Sequence, residues 1–323
     1  MNITIIGTGA YSLSIAKRLS KNEDNKIKLW TEDRKKEKEF KDTRKIKSIF
    51  ANEVFDENIE VTANYEYALK DTNVIFIMTT SNFVKQVSEI IKLYYKSNIP
   101  VVIGTKGLDT ESNKYPSQIV KKCLHTSKIA VIAGPSFAID ILNDQPLALT
   151  VATKKRSIYK LLQTLFKDQK VTLERSNDLM GVQLCSTLKN VYAIGSGILK
   201  GLGYPTSTQS IYLTKIVKEL NEILYMFDSN EFTLFSLAGI GDLLMTCSDE
   251  KSRNYTYGTK LSSKSKKDVE TYLNKNTVEG YNALSSIYNQ LKKKRAKAPI
   301  IKTIYEIVFE DKDAKELEKE LGF

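Results

Sequence analysis

The chain has 323 residues, 41% of them hydrophobic and 27% charged, which is enough for two domains with cores of their own. The formal charge of +11 is carried mostly by lysines in mixed segments such as "TEDRKKEKEFKDTRKIK" (31–47); these read as solvated helix faces, and no nucleic-acid motif accompanies them. No apolar run approaches the roughly 18–20 residues that span a bilayer, and the three scattered cysteines form no C-x-x-C pair, which argues against a disulfide framework or a zinc site.

The first half alternates β-rich runs with helix-length polar stretches. The runs are "NITIIG" (2–7), "KIKLW" (26–30), "NVIFIM" (73–78), "IPVVIG" (99–104), "KIAVIAG" (128–134) and "LALTVAT" (147–153). Val- and Ile-rich runs spaced in this way predict βαβ units and a parallel sheet covered on both faces. From about residue 178 the period changes. "NDLMGVQLCSTLKNVYAIGSGILKGLG" has Val182, Cys185, Leu188, Val191 and Ile194 at helical spacing, with Asn177 or Asp178 as N-cap. Residues 209–227 and 281–294 repeat the pattern. The predicted architecture is α/β, a Rossmann-like doubly wound parallel sheet over 1–177 followed by an all-helical region over 178–323.

"GTGAYSLS" (7–14) follows the first run. A glycine-rich turn between a strand and a helix is where dinucleotides lay their pyrophosphate. Gly7 permits the tight turn and Gly9 the backbone approach, while Ser12 stands where a third glycine is usual. Ser12 and Ser14 also carry hydroxyls that can face a ligand. A carboxylate at the end of the second strand takes the ribose 2′-hydroxyl of NAD, whereas a basic residue suits a 2′-phosphate. Glu32, Asp33 and Arg34 are all near, so NAD and NADP both stay open.

"GTKGLD" (104–109) and "AGPSFA" (133–138) follow later strands and therefore sit at carboxyl ends, where open α/β sheets bind ligands. Lys106, flanked by glycines, has a clear approach to an anion. Ser136 reads equally as a helix cap or as a substrate contact. Lys189 lies on an otherwise apolar helix and has two readings. One is a lysine snorkelling from the core; the other is a desolvated acid/base with a lowered pKa. In "AGIGDLLMTCSDEKSRNYTYG" (238–258), Asp242 follows a glycine turn, where it reads as an N-cap or a site carboxylate. Ser252-Arg253-Asn254 sets a hydroxyl, a guanidinium and an amide side by side, a set suited to phosphate. His125, the only histidine, ends a polar helix, so acid/base chemistry has to come from elsewhere.

In this order, "GTKGLD", "AGPSFA", "TLKNVYAIGSGILKGLG", "LAGIGDLLMTC", "SRNYTYG" and "VEG" resemble bacterial NAD(P)-dependent glycerol-3-phosphate dehydrogenase over nearly the whole chain. The resemblance implies a homodimer; the scattered cysteines suggest reduced thiols in a cytoplasmic protein, and no metal is expected. The resemblance also implies reversible hydride transfer between NAD(P)H and dihydroxyacetone phosphate, giving sn-glycerol 3-phosphate for glycerophospholipid synthesis. Carried over by motif, Lys189 is the acid/base. Lys106, Gly134, Ser136, Asp242, Ser252, Arg253 and Asn254 are substrate contacts. Ala10, Tyr11, Lys106, Ala138, Arg253, Val278 and Glu279 are cofactor contacts, beside Gly7, Gly9 and Ser12, which the reading of the turn itself supplies.

The chain departs from the family pattern at Ala10, Tyr11 and Ser12 in the turn, and at Thr80, Ser207 and Lys215. Glu32 aligns with a position that is often basic. Two other readings accompany the main one. A related lysine-dependent hydroxy- or keto-acid dehydrogenase is disfavoured by Ser252-Arg253-Asn254, and a catalytically inactive dinucleotide-sensing module by Lys189.

Overall fold

The structure, a computed structural model, describes residues 1–167, 169–263 and 265–322. An eight-stranded sheet organises the first half: β1 (Asn2–Ile6), β2 (Lys26–Trp30), β3 (Ile59–Thr62), β4 (Val74–Ile77), β5 (Val101–Ile103), β6 (Ile129–Ala133), β7 (Leu147–Ala152) and β8 (Val171–Ser176). Their order across the sheet is β3-β2-β1-β4-β5-β6-β7-β8. The pairs β2·β3, β1·β2, β1·β4, β4·β5, β5·β6 and β7·β8 are parallel. β4, β5 and β6 are buried at every position, as strands covered on both faces must be.

The helices of this half are α1 (Ala10–Ser20), α2 (Arg34–Thr43), α3 (Tyr65–Leu69), α4 (Val84–Lys92), α5 (Pro116–Leu124), α6 (Ala138–Leu142) and α7 (Arg156–Leu165). Amphipathic spacing forms them. In α7, Ile158, Leu162 and Leu165 face inward while Arg156 and Lys160 stay out. β3 and β8 were not among the predicted strands. β3 is four residues long, and β8 interleaves Thr, Glu and Arg with its apolar positions at the sheet's edge.

The second half is helical: α8 (Leu179–Gly201), α9 (Thr206–Met226), α10 (Asp242–Ser248), α11 (Arg253–Leu261), α12 (Lys266–Lys275), α13 (Glu279–Lys293), α14 (Pro299–Phe309) and α15 (Glu316–Glu320). α8 is buried from Gly181 to Leu199. Its glycines are where neighbours come close. A Cβ on Gly197 would lie 2.0 Å from the Tyr255 carbonyl oxygen, and one on Gly258 would lie 2.0 Å from that of Ile194. The backbones of α8 and α11 therefore touch, which no larger residue permits. Buried Glu219 on α9 accepts from the Ile300 and Ile301 amides at 2.8 and 3.2 Å, satisfying the N-terminal amides of α14.

The chain divides into two compact units. Unit 1 comprises residues 1–105, 114–132 and 136–179. Unit 2 comprises 106–113, 133–135 and everything from Met180 onward. Lys106 and Gly134 thus belong with the helical unit although they follow strands of the sheet. No helix is long and apolar enough to cross a membrane among the described residues.

Candidate active site and dinucleotide turn

In unit 1, β1 runs into the turn Gly7-Thr8-Gly9 and then directly into α1. Gly7 has φ +116°, and a Cβ there would lie 2.9 Å from the Met78 carbonyl oxygen, so glycine is required. Nothing stands within 4 Å of a Cβ on exposed Gly9, which leaves the backbone open to a close ligand. Gly9 is the N-cap of α1 and supplies no side-chain cap, and the first turn holds no acidic residue. A helix start without a side-chain cap and the positive end of the helix dipole are what a pyrophosphate needs. On these grounds the turn fits a dinucleotide.

Ser12 is fully buried and its hydroxyl donates to the Met78 carbonyl at 3.2 Å. Ser14 donates to the Ala10 and Ala138 carbonyls at 2.9 and 2.7 Å. The expectation that these hydroxyls face a ligand is corrected: both are spent inside the protein, Ser12 tying α1 to the end of β4 and Ser14 tying it to the first residue of α6. Ser136 is buried but is not the cap of α6, because the N-cap position is Phe137. Ala10 and Tyr11, both half-buried, open α1.

In unit 2, Lys189 is 2% exposed and Asp242 fully buried. Lys189 Nζ lies 2.5 Å from Asp242 Oδ1 and 3.1 Å from Thr246 Oγ1. The Thr246 hydroxyl also donates to the Asp242 carbonyl at 2.6 Å. Burial pulls the ammonium down to about 8; Asp242 opposes that shift and nearby Lys106 adds to it. A proton held near neutrality at a buried atom suits acid/base work. Asp242 Oδ2 is buried and has no hydrogen-bond partner. An orphaned carboxylate oxygen beside a lysine is a ready acceptor for a ligand hydroxyl.

A second network joins α8, α11 and α13. Asn254 Nδ2 donates to Asn190 Oδ1 at 3.0 Å, and Asn254 Oδ1 accepts from the Gly280 amide at 2.8 Å. Asn190 Nδ2 donates to Glu279 Oε2 at 3.0 Å. This fixes the start of α11 beside Lys189. Ser252 caps α11, its hydroxyl oxygen accepting from the Tyr255 amide at 3.3 Å, and the Arg253 side chain is exposed at the helix N-terminus. A helix N-terminus next to a guanidinium has the charge and donors that suit a phosphate.

Models of NAD-dependent glycerol-3-phosphate dehydrogenase match the chain twice, the N-terminal one over residues 2–159 and the C-terminal one over 178–319. A glycerol-3-phosphate dehydrogenase of Thermoanaerobacter is 30% identical and covers 97% of this chain and 94% of its own. The chain belongs to this family. Staphylococcus haemolyticus glycerol-3-phosphate dehydrogenase is 28% identical over 99% of this chain and 97% of its own. The crystal structure of the Coxiella burnetii glycerol-3-phosphate dehydrogenase superposes with a TM-score of 0.92, at 26% identity over 99% of this chain and 98% of that one.

Unit 2 of this glycerol-3-phosphate dehydrogenase family member gathers most of the residues singled out in the sequence: Lys106, Gly134, Lys189, Asp242, Ser252, Arg253, Asn254, Val278 and Glu279. Asp242 is in the first turn of α10 and its side chain goes to Lys189, so the N-cap reading is set aside. A π-helical segment, Leu237–Gly241, leads into α10, and Gly239 sits within it at non-helical angles. Lys106 is half-buried beside Gly107, whose φ is +87°. Val278 is the buried N-cap residue of α13 and Glu279 its first residue. Asn254 spends its oxygen and one amide hydrogen within the protein, which makes it a brace for the site.

Sequence reading missed Asn190 and Thr246. Thr246 was findable as the i+4 neighbour of Asp242 on one helix, and Asn190 as the polar residue adjoining Lys189 on an apolar helix.

Proposed function

We propose that this chain is an NAD(P)-dependent oxidoreductase that interconverts dihydroxyacetone phosphate and sn-glycerol 3-phosphate. Membership of the family and the names of its relatives support the reaction. One observation carries the residue roles: buried Lys189 is paired with Asp242, whose second oxygen is unpartnered, and a phosphate-competent helix N-terminus lies alongside.

When bound at the turn of unit 1, the dinucleotide supplies or takes the hydride. Gly7, Gly9 and the amides opened by Ala10 and Tyr11 hold its pyrophosphate; Ser12 supports them through Met78. Arg253, the Ser252 hydroxyl and the α11 amides hold the substrate phosphate, with Lys106 adding positive charge, and so fix the carbon skeleton. Gly134 and Ser136 complete the substrate contacts, and Ala138, Val278 and Glu279 those to the cofactor. Asp242 Oδ2 accepts a substrate hydroxyl. In reduction, Lys189 Nζ gives its proton to the carbonyl oxygen; in oxidation it takes the proton from the hydroxyl. We assign the product to the supply of glycerophospholipid synthesis and the working form to a cytoplasmic homodimer.

The test is oxidation of NADH and NADPH with dihydroxyacetone phosphate, run beside ketopantoate. Turnover on the phosphorylated ketone, lowered about a hundredfold or more in Lys189→Met, is the expected result. Turnover only on ketopantoate, or wild-type rates in Lys189→Met, would overturn the reading.

A further inference from the structure

A pocket of about 350 Å³ in unit 1 runs from the glycine turn to the end of β2, and Gly9, Trp30, Glu32, Asp33, Lys36 and Tyr65 are among its lining residues. Its walls are held in register. The Gly7 amide donates to the Trp30 carbonyl at 2.9 Å, and Thr8 Oγ1 donates to Thr31 Oγ1 at 3.0 Å. Thr31 Oγ1 in turn accepts from the Asp33 amide at 3.2 Å, and the Thr31 amide donates to the Thr62 carbonyl at 2.9 Å. The segment carrying Glu32 is therefore pinned beside the phosphate turn. A dinucleotide with its pyrophosphate on α1 brings its adenosine ribose to this place.

Of the two carboxylates here, Asp33 is occupied. It is the N-cap of α2, and its Oδ1 accepts from the Lys35 and Lys36 amides at 2.8 and 3.4 Å. Glu32 is exposed and caps nothing. It lies close enough to Tyr65 that its charge adds to burial in pushing that phenol up. Lys36 is the pocket's one basic lining residue among those described, and Arg34 and Lys35 do not line it. Carboxylates outnumber the cation where the 2′ position of the ribose comes to rest.

We propose that Glu32 makes this chain select NAD over NADP, its carboxylate accepting the ribose 2′-hydroxyl and repelling a 2′-phosphate. The inference rests on the dinucleotide reading of the turn and specifies which cofactor that turn serves. A 2′-phosphate sets close to two negative charges against Glu32, which in a solvent-exposed pocket weakens binding about tenfold.

Binding without substrate tests it directly, because Trp30, the only tryptophan of the chain, lines this pocket and stacks on Tyr65 at 4.0 Å. Quenching of its fluorescence by NADH and by NADPH gives both affinities without turnover. The wild type should bind NADH about tenfold more tightly. Glu32→Gln should close that gap by tightening NADPH, and Glu32→Arg should reverse it. Equal affinities in the wild type, or a ratio that Glu32→Gln leaves unmoved, would overturn the proposal. So would a ratio that shifts only in Lys36→Ala. Binding of neither dinucleotide would instead bring down the reading of the turn itself, and this inference with it.

Discussion

The dinucleotide turn of unit 1 and the lysine site of unit 2 are built from different materials. The turn is backbone: a glycine at positive φ, a bare glycine and the uncapped amides of α1. Its Tyr11 side chain packs on the core and its Ser12 hydroxyl is bonded to the Met78 carbonyl, so these side chains serve the protein's interior. The lysine site is side chain: an ammonium, a carboxylate, a hydroxyl and two amides, each held by another at 2.5–3.1 Å. Such a set has no slack: each group depends on the position of the next. A backbone site is protected by a few glycines, a side-chain site only by keeping every member.

The hardest blow to this contrast falls on Lys189. Lys189→Met removes the proton carrier, and turnover should fall by about a hundred- to ten-thousand-fold, while NADH still quenches Trp30. Loss of NADH binding in that variant would show that the two regions are not separable in function. Next in size is Gly258→Ala. Its new Cβ would meet the Ile194 carbonyl at 2.0 Å and force α11 off α8, costing about 3 kcal/mol in thermal or denaturant unfolding. Gly9→Ala is its counterpart in the turn. Open space surrounds that Cβ, so stability should hold within about 0.5 kcal/mol while cofactor affinity drops. Unfolding of Gly9→Ala, or an unperturbed Gly258→Ala, would invert the contrast.

The pH dependence should belong to unit 2 alone. With Lys189 brought down to about 8, the ammonium needed for reduction is lost as pH rises through that value, so the reduction rate falls there. Oxidation needs the neutral amine, so its rate rises through the same range. Cofactor affinity, read by Trp30, should stay flat. Opposite slopes for the two directions, measured as kcat against pH, are the expected outcome; parallel slopes would assign the titration to another group.

The same contrast explains what the sequence disclosed. Strands such as "NVIFIM" and the turn at Gly7 were legible because parallel strands and positive-φ glycines leave local marks. β8 was not, since its polar residues hide an edge strand. The motif residues of unit 2 were legible as a set. What they do with one another was not, because Lys189 and Asp242 stand 53 residues apart and only packing brings them together. The glycines at 195 and 197 signalled a close approach without saying to what; the answer is Tyr212 and the backbone of α11. Ser12 and Ser14 misled because a hydroxyl near a ligand turn can face either way, and here the nearest acceptors are carbonyls of the protein.

Ser12→Gly offers the smallest expected effect on the ligand and the finest test. It restores the third glycine of the usual turn and removes the hydrogen bond to the Met78 carbonyl at 3.2 Å. A lost buried hydrogen bond and a glycine inside α1 each cost about 1 kcal/mol, so the midpoint of unfolding should drop modestly. The turn's amides and the φ of Gly7 are untouched, so NADH affinity should stay within about twofold, well short of the tenfold that 1.4 kcal/mol represents. If affinity instead changes tenfold or more, Ser12 reaches the ligand after all, and the turn depends on side chains as the lysine site does. If stability and affinity both hold still, the hydroxyl is merely accommodated. Only a loss of stability with affinity preserved matches a turn whose side chains look inward and whose backbone looks out.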